Sequence, residues 1–257
     1  LSRPTVSATV LTYNNAATLD RCLESIDWVD ETIVVDSLST DESVEIARRR
    51  GARVVQRPWP GFIAQRNFSK EQARGEWILW IDADEQVPLA LRQEMIQALE
   101  TWDGRIQGYW VPRCSFYLGR WIRHGAWYPD LSIRLFRSAG HVWGGEEPHA
   151  AVQIQGPVGR LRNDLLHYNY PSLAHQIRTV DHYSGLSAQE LFARGERFRL
   201  HKMLLHPLGR FVKEYLLRQG FRDGLPGLII VAATMFYVFS KYAKLWELEG
   251  GGSGGKR

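Results

Sequence analysis

The sequence predicts an α/β fold, a mostly parallel sheet covered by helices, with a helical C-terminal extension. Three observations predict it. Short apolar, β-rich runs alternate with helix-period segments over residues 6–102. Polar clusters close three of those runs, where open α/β sheets place their ligands. The charge also changes sign along the chain. Residues 1–193 carry 20 Lys+Arg against 23 Asp+Glu, whereas residues 194–257 carry 12 against 5.

The elements follow in order. Val6–Leu11 is a β-rich run that Asn14-Asn15 breaks, and Leu19, Cys22, Leu23 and Ile26 then recur at helical spacing. Thr32–Asp36 reads as a buried strand, and the Ser37–Asp41 turn leads into a helix with Val44 and Ala47 inward. Arg53–Val55 is a third strand and residues 62–73 a helix. Trp77–Ile81 is apolar on both faces, so it belongs in the centre of the sheet. It ends in Asp82-Ala83-Asp84, and a helix over 88–102 turns Met95, Ile96, Leu99 and Trp102 to one side. This is a Rossmann-like alternation. After about residue 105 it gives way to short strands at 109–116, 132–136 and 151–154. Helices follow over 172–193, over 203–219 with an interruption at Pro207, and over 225–248. The expected division is a catalytic domain over 1–193, a basic and apolar helical region over 194–249, and an appended linker or tag over 250–257.

Composition excludes several classes. Apolar residues at 44% and charged residues at 23% rule out disorder, collagen and coiled coil. Cys22 and Cys114 are too few for a disulfide framework or a cysteine-rich zinc site, so a reducing compartment is the simpler expectation. The first residues lack the charged-then-apolar pattern expected of a signal peptide. The pI of about 9.1 suggests an anionic partner. No nucleic-acid-reading motif is present, and no Gly-x-Gly-x-x-Gly or Walker loop.

Asp82-Ala83-Asp84 carries the most chemistry. Residues i and i+2 of an extended segment point to the same side. Two carboxylates at the end of a central strand can therefore face Mg²⁺ or Mn²⁺, with the remaining ligands coming from water and substrate phosphates. Strand-end aspartates also serve as turn formers and caps, but here Glu85 adds a third acid. Such crowding is costly without a cation or a basic partner.

With these residues in view, the sequence resembles a family. Val10–Asn14, Val35–Asp41 and Asp82–Glu85 look like the nucleotide-sugar site of family 2 glycosyltransferases, which have the GT-A fold. Gly61–Asn67, Arg123–Asp130, Arg134–Arg137, Leu166–Tyr168 and Lys241–Trp246 are similar to lipopolysaccharide core glycosyltransferases of the WaaE/KdtX type. The resemblance implies an inverting, metal-dependent enzyme that moves a sugar, with UDP-glucose the leading donor, onto an acceptor hydroxyl of a bacterial envelope glycolipid. It implies that Asp36 receives the base or ribose, with Thr12, Tyr13 and Asn14 lining that pocket. Asp84 and Asp82 would bind the metal–diphosphate, and Gln65, Arg66 and Asn67 would lie near the donor. His124, Tyr128, Asp130 and Arg134 are expected on the acceptor side, with Arg134 placed to bind a donor or acceptor phosphate. Asp41 is read as a helix cap, and His167 as a core histidine.

Inversion by single displacement needs a base near the acceptor hydroxyl. Trp143–His149 is the expected segment, with Glu147 first and Glu146 second. Many relatives place an acid directly after the histidine, whereas here Ala150 follows His149.

Arg194, Arg197, Arg199, Lys202, Arg210, Lys213, Arg218 and Arg222 interleave with leucines and aromatics, the pattern of a basic amphipathic helix. Leu225–Ser240 is uncharged and, at about 1.5 Å per residue, spans roughly 24 Å. That is short of the ~30 Å bilayer core. Three readings stay open: a helix packed in the protein or in a homo-oligomer, an interfacial or partly inserted helix, and a transmembrane span. The expected place is the cytoplasmic face of the bacterial inner membrane, peripheral or partly inserted. Two other functions stay open, a polyprenyl-phosphate glycosyltransferase and a non-catalytic sugar-nucleotide-binding protein.

Overall fold

A computed structural model describes residues 3–145, 151–168, 170 and 172–251. It divides into two compact units, Leu1–Cys114 with Asp130–Tyr168, and Ser115–Pro129 with Asn169–Arg257. The expected boundary at residue 193 falls inside the second of these units. Residues 115–129 and the helix over 173–193 group with the C-terminal helices, although no shift in composition marks them.

The first unit is built on a sheet. Strands β1 (Val6–Thr12), β2 (Glu31–Asp36), β3 (Arg53–Gln56) and β4 (Trp77–Asp82) pair in parallel in the order β3-β2-β1-β4. Helices α1 (Ala16–Ser25), α2 (Ser43–Arg49) and α3 (Phe62–Glu71) connect them. Beyond β4 come β5 (Glu85–Gln86), helix α4 (Leu89–Glu100), and β6 (Gly108–Tyr117), whose last three residues count with the second unit. β7 (Arg120–Trp121) pairs with that end of β6. β8 (Asp130–Arg137), β9 (Val142–Gly144), β10 (Ala151–Gln153), β11 (Val158–Arg160) and β12 (Leu165–His167) complete the strands. The sheet is parallel where the β–α alternation predicts it. It turns antiparallel where the alternation stops, through β4–β8 and β8–β6.

β4 is closed to solvent along Trp77–Ile81, as expected for a central strand. Trp77 is fully buried and meets Trp102 edge-on, with ring centroids 5.5 Å apart. Truncation of such a residue to alanine costs about 3–5 kcal/mol. Cys22 and Cys114 are both buried, and they form no disulfide.

The second unit is helical. Helix α5 (Leu173–Ala193) is capped by Ser172, whose hydroxyl accepts the His175 N–H. Helix α6 (Leu200–Phe211) runs through Pro207 without a break and continues into a π-helical turn, Val212–Leu217. The interruption expected at Pro207 does not occur. Helix α7 (Gly224–Trp246) packs Val238, Tyr242 and Leu245 around Ala188 of α5. Among the described residues one helical run, Gly220–Gly250, is long and apolar enough to cross a membrane, and only 33% of its apolar window is buried.

Candidate active site

Strand register creates the site. Thr12 lies beside Asp36 and Leu11 beside Asp82, so the carboxyl ends of β1, β2 and β4 form one edge. The loops leaving that edge are tied to each other. Asn14 is left-handed at φ 53, a conformation asparagine tolerates better than most residues. Its N–H donates to Ser39 Oγ at 2.9 Å, and its Oδ1 accepts the Thr40 N–H at 2.8 Å. Asp41 accepts N–H bonds from both Ala16 and Ser43 at 3.0 Å. It therefore secures the first turns of α1 and α2, one more helix than expected. Burial pushes its carboxyl up, but the bonds from Ser43 and Ala16 outweigh that and hold it below the usual range.

Asp36 is fully buried and committed to its own loop. It accepts the Ser39 N–H at 3.0 Å, the Ser39 hydroxyl, and Gln56 Nε2 at 2.9 Å. Ser37, and not Asp36, reaches the cleft that opens here. This cleft, about 250 Å³ in volume, is also lined by Thr12, Tyr13, Trp59, Phe62, Arg66, Asp82, Asp84 and His167. Gln65 is fully buried behind it, donating from Nε2 to Ser37 Oγ at 3.2 Å. Asn67 is used elsewhere. Its Nδ2 donates to the Trp143 carbonyl at 2.9 Å and its Oδ1 accepts the Trp143 N–H at 2.8 Å. Its amide is a bracket for β9.

A second cavity, about 460 Å³, shares Arg66 and Asp82 with the first. Trp80, Trp110 and Trp143 line it, with Arg113, Asp130, Ser132 and Arg134. The Arg66 guanidinium lies 4.3 Å from the Trp80 ring and 4.7 Å from the Trp143 ring, a cation–π position that fixes it between the two cavities. Register places Arg113 opposite Asp130, and Arg113 Nε donates to Asp130 Oδ2 at 2.9 Å. Arg134 is 1% exposed. Among the described residues its Nε and Nη1 have no hydrogen-bond partner, and neither do Ser132 Oγ and Trp80 Nε1. Buried donors without partners are costly, and a polar ligand would satisfy them.

The crowded acids find the basic partners their sequence demands. Arg134 Nη2 reaches Asp82 Oδ2 at 3.1 Å, and Arg113 Nη1 reaches Glu85 Oε1 at 3.2 Å. Glu85 Oε2 also accepts the Asp82 N–H at 2.9 Å. Burial pushes the Asp82 carboxyl up, but Arg134, then Arg113 and Arg66, hold it below the usual range. For Glu85 burial wins over the pull of Arg134, and its carboxyl is raised. Burial opposes the charge of Arg113, yet Glu85 and Asp130 raise its pKa above that of a free guanidinium.

His167 is buried, as expected, and its Nε2 lies 3.4 Å from Asp84 Oδ2. Among the described residues no three His, Cys, Asp or Glu side chains are arranged to hold a metal unaided. Asp82 and Asp84 both line the first cleft, and carboxylate oxygens there suit a hard cation that takes most of its shell from phosphate oxygens and water. Their oxygen chemistry is that of Mg²⁺ or Mn²⁺ ligands.

Of the expected site residues, Thr12, Tyr13, Arg66, Asp82 and Asp84 line the first cleft, and Asp130 and Arg134 the second. Asn14, Asp36, Gln65 and Asn67 hold the walls. His124 and Tyr128 belong to the second compact unit. There buried Asp223 accepts the His124 N–H at 2.8 Å, and its other oxygen lies 3.0 Å from His124 Nδ1. Glu146 and Glu147 lie outside the described residues. Arg113, Trp80 and Trp143 are the additions that sequence reasoning missed. Only the β6–β8 register reveals Arg113, and tryptophans inside apolar runs read as core.

Comparison with known proteins agrees with this geometry. The model of the family described as Glycosyl transferase family 2 matches residues 7–160. The chain is 29% identical over 249 residues to the lipopolysaccharide core biosynthesis glycosyltransferase LpsC of Rhizobium meliloti, covering 94% of this chain and 92% of that protein. It is 28% identical over 257 residues to an uncharacterized glycosyltransferase of Rickettsia typhi, covering 95% and 87%. In fold it is similar to a mannosyltransferase from Pyrobaculum calidifontis, solved in complex with GDP-Man and Mn²⁺. The TM-score is 0.56 at 16% identity, over 96% of this chain and 88% of that one.

Proposed function

Because the chain belongs to glycosyl transferase family 2 and is a glycosyltransferase of the GT-A fold, we propose that it transfers a sugar from a nucleotide donor to a bacterial envelope glycolipid, with inversion. UDP-glucose is the leading donor and a hydroxyl of lipopolysaccharide core the leading acceptor. The kinship to LpsC supports that acceptor class. The observation that carries the reading is the pair of adjoining cavities that share Asp82 and Arg66 at the strand ends.

The first cleft takes the donor, with Thr12, Tyr13 and Ser37 against the nucleoside. Asp84 and Asp82, with His167 beside Asp84, would hold a divalent cation. The chemistry such a cation would supply is neutralisation of the diphosphate leaving group. Arg66 holds a fixed positive charge at the junction of the cavities, where leaving-group charge develops. The second cavity takes the acceptor between tryptophan faces, with Asp130, Arg134 and Ser132 as polar contacts. The acceptor oxygen bonds to the anomeric carbon as the bond from that carbon to the diphosphate breaks. Glu147, or Glu146, takes the hydroxyl proton.

Arg66, Arg113 and Arg134 around the second cavity favour one further reading, a lipid phosphate as acceptor. A phosphate is already ionised and needs no base. Loss of turnover in Glu147→Gln with donor binding intact supports the hydroxyl acceptor, and unchanged turnover supports the phosphate. An acceptor of either kind places the enzyme at a membrane surface, and we assign it peripherally to the cytoplasmic face of the inner membrane. A hydrolysis screen of several nucleotide sugars with Mg²⁺ or Mn²⁺ tests the enzyme reading. Metal-stimulated turnover of one or more donors is expected, and no turnover of any would refute it.

A further inference from the structure

The second unit carries an apolar row and a basic groove side by side. Leu200, Leu204, Leu208, Val212 and Leu216 recur every four residues along α6 and its π-helical continuation. They are 57%, 51%, 56%, 46% and 49% exposed. Large side chains on an exposed helix rarely stay open to water in such a row without a partner. On one side of the same helix a groove of about 320 Å³ runs against α7, lined by His206, Gly209, Arg210, Lys213 and Lys241. Arg210 is paired with buried Glu214 at 2.8 Å, while Lys213 and Lys241 make no ion pair among the described residues. A Cβ built on Gly209 meets no atom within 4 Å, so the groove is open at that point.

We propose that this groove binds the phosphate of an anionic phospholipid headgroup through Lys213, Lys241 and Arg210, while the apolar row enters the acyl-chain boundary. Cations beside an apolar row match an anionic bilayer better than a neutral one, because charge attraction adds to apolar burial. Burial, then the charges of Arg210 and Lys202, lower the pKa of Lys241, and an anion beside it relieves that repulsion. The proposal rests on the reading of the protein as peripheral to a membrane, and it adds the headgroup chemistry.

The test is flotation of the full chain with phosphatidylglycerol–phosphatidylcholine vesicles and with pure phosphatidylcholine vesicles. Wild type, the double variant Lys213→Gln/Lys241→Gln, and Gly209→Glu are compared, with donor hydrolysis measured on each to confirm folding. Expected is binding to the anionic vesicles roughly 10- to 30-fold tighter than to the neutral ones. Both variants lose that preference and keep hydrolysis. Equal binding of wild type to both vesicles overturns the groove and leaves the membrane reading standing. No flotation on either overturns both, while hydrolysis reports on the enzyme reading separately. A thermal shift by inorganic phosphate alone, with no vesicle preference, also overturns the lipid assignment.

Discussion

Arg134 Nη2 donates to Glu85 Oε1 at 2.5 Å, and the two side chains are 1% and 0% exposed. The same nitrogen reaches Asp82, so one buried guanidinium links an acid of the donor cleft to the wall of the second cavity. Buried ion pairs are costly to form and costlier to break on one side.

Arg134→Met therefore leaves Glu85 buried without its shortest partner. Urea denaturation is expected to show a loss of about 3–5 kcal/mol. Adding Glu85→Met recovers at least half of it. If the double variant is no more stable than Arg134→Met alone, the pair is not what holds this region.

Asn67 is expected to act through the fold. Asn67→Ala removes both hydrogen bonds to the Trp143 backbone. The expected cost is about 1–3 kcal/mol in denaturant, with nucleotide affinity changed only a few-fold. A collapse of nucleotide binding at unchanged stability would instead make Asn67 a donor ligand.

Glu94 gives a pH signature away from the site. Burial raises its carboxyl, but the N–H groups of Asn163 and Arg162, with the Asn163 amide, outweigh it and lower the pKa. The bonds are 2.7–2.9 Å. A depressed folded pKa contributes stability that is complete above the unfolded value of about 4.3. That stability is lost as pH falls through the folded value. Glu94→Gln should flatten this part of the acid limb in thermal melts from pH 6 to pH 3. An identical limb in both proteins contradicts the assignment.

Much of the site was legible in the sequence because its chemistry is local. Asp82 and Asp84 follow a strand whose apolar run identifies it as central, and crowding with Glu85 already demands a positive partner. The identity of that partner is non-local. Arg134 and Arg113 come from β8 and β6, and only antiparallel register brings them to Glu85. β5 and β7 have two residues each, and β9, β10, β11 and β12 three, too short to show a period; of these only the β10 region reads as a strand from the sequence. Pro207 reads as a break, yet α6 continues through it. The grouping of residues 115–129 with the C-terminal helices depends on packing and leaves no mark in composition.

The most direct measurement of the central claim is isothermal titration of UDP into wild type and Asp84→Asn, with and without Mn²⁺. A metal-dependent donor site built on Asp84 predicts binding only when Mn²⁺ is present. It also predicts a loss of at least ~100-fold in Asp84→Asn at unchanged melting temperature, since a bound cation supplies several kcal/mol of charge stabilisation. Equal UDP binding without Mn²⁺, or an unaffected Asp84→Asn, would contradict it.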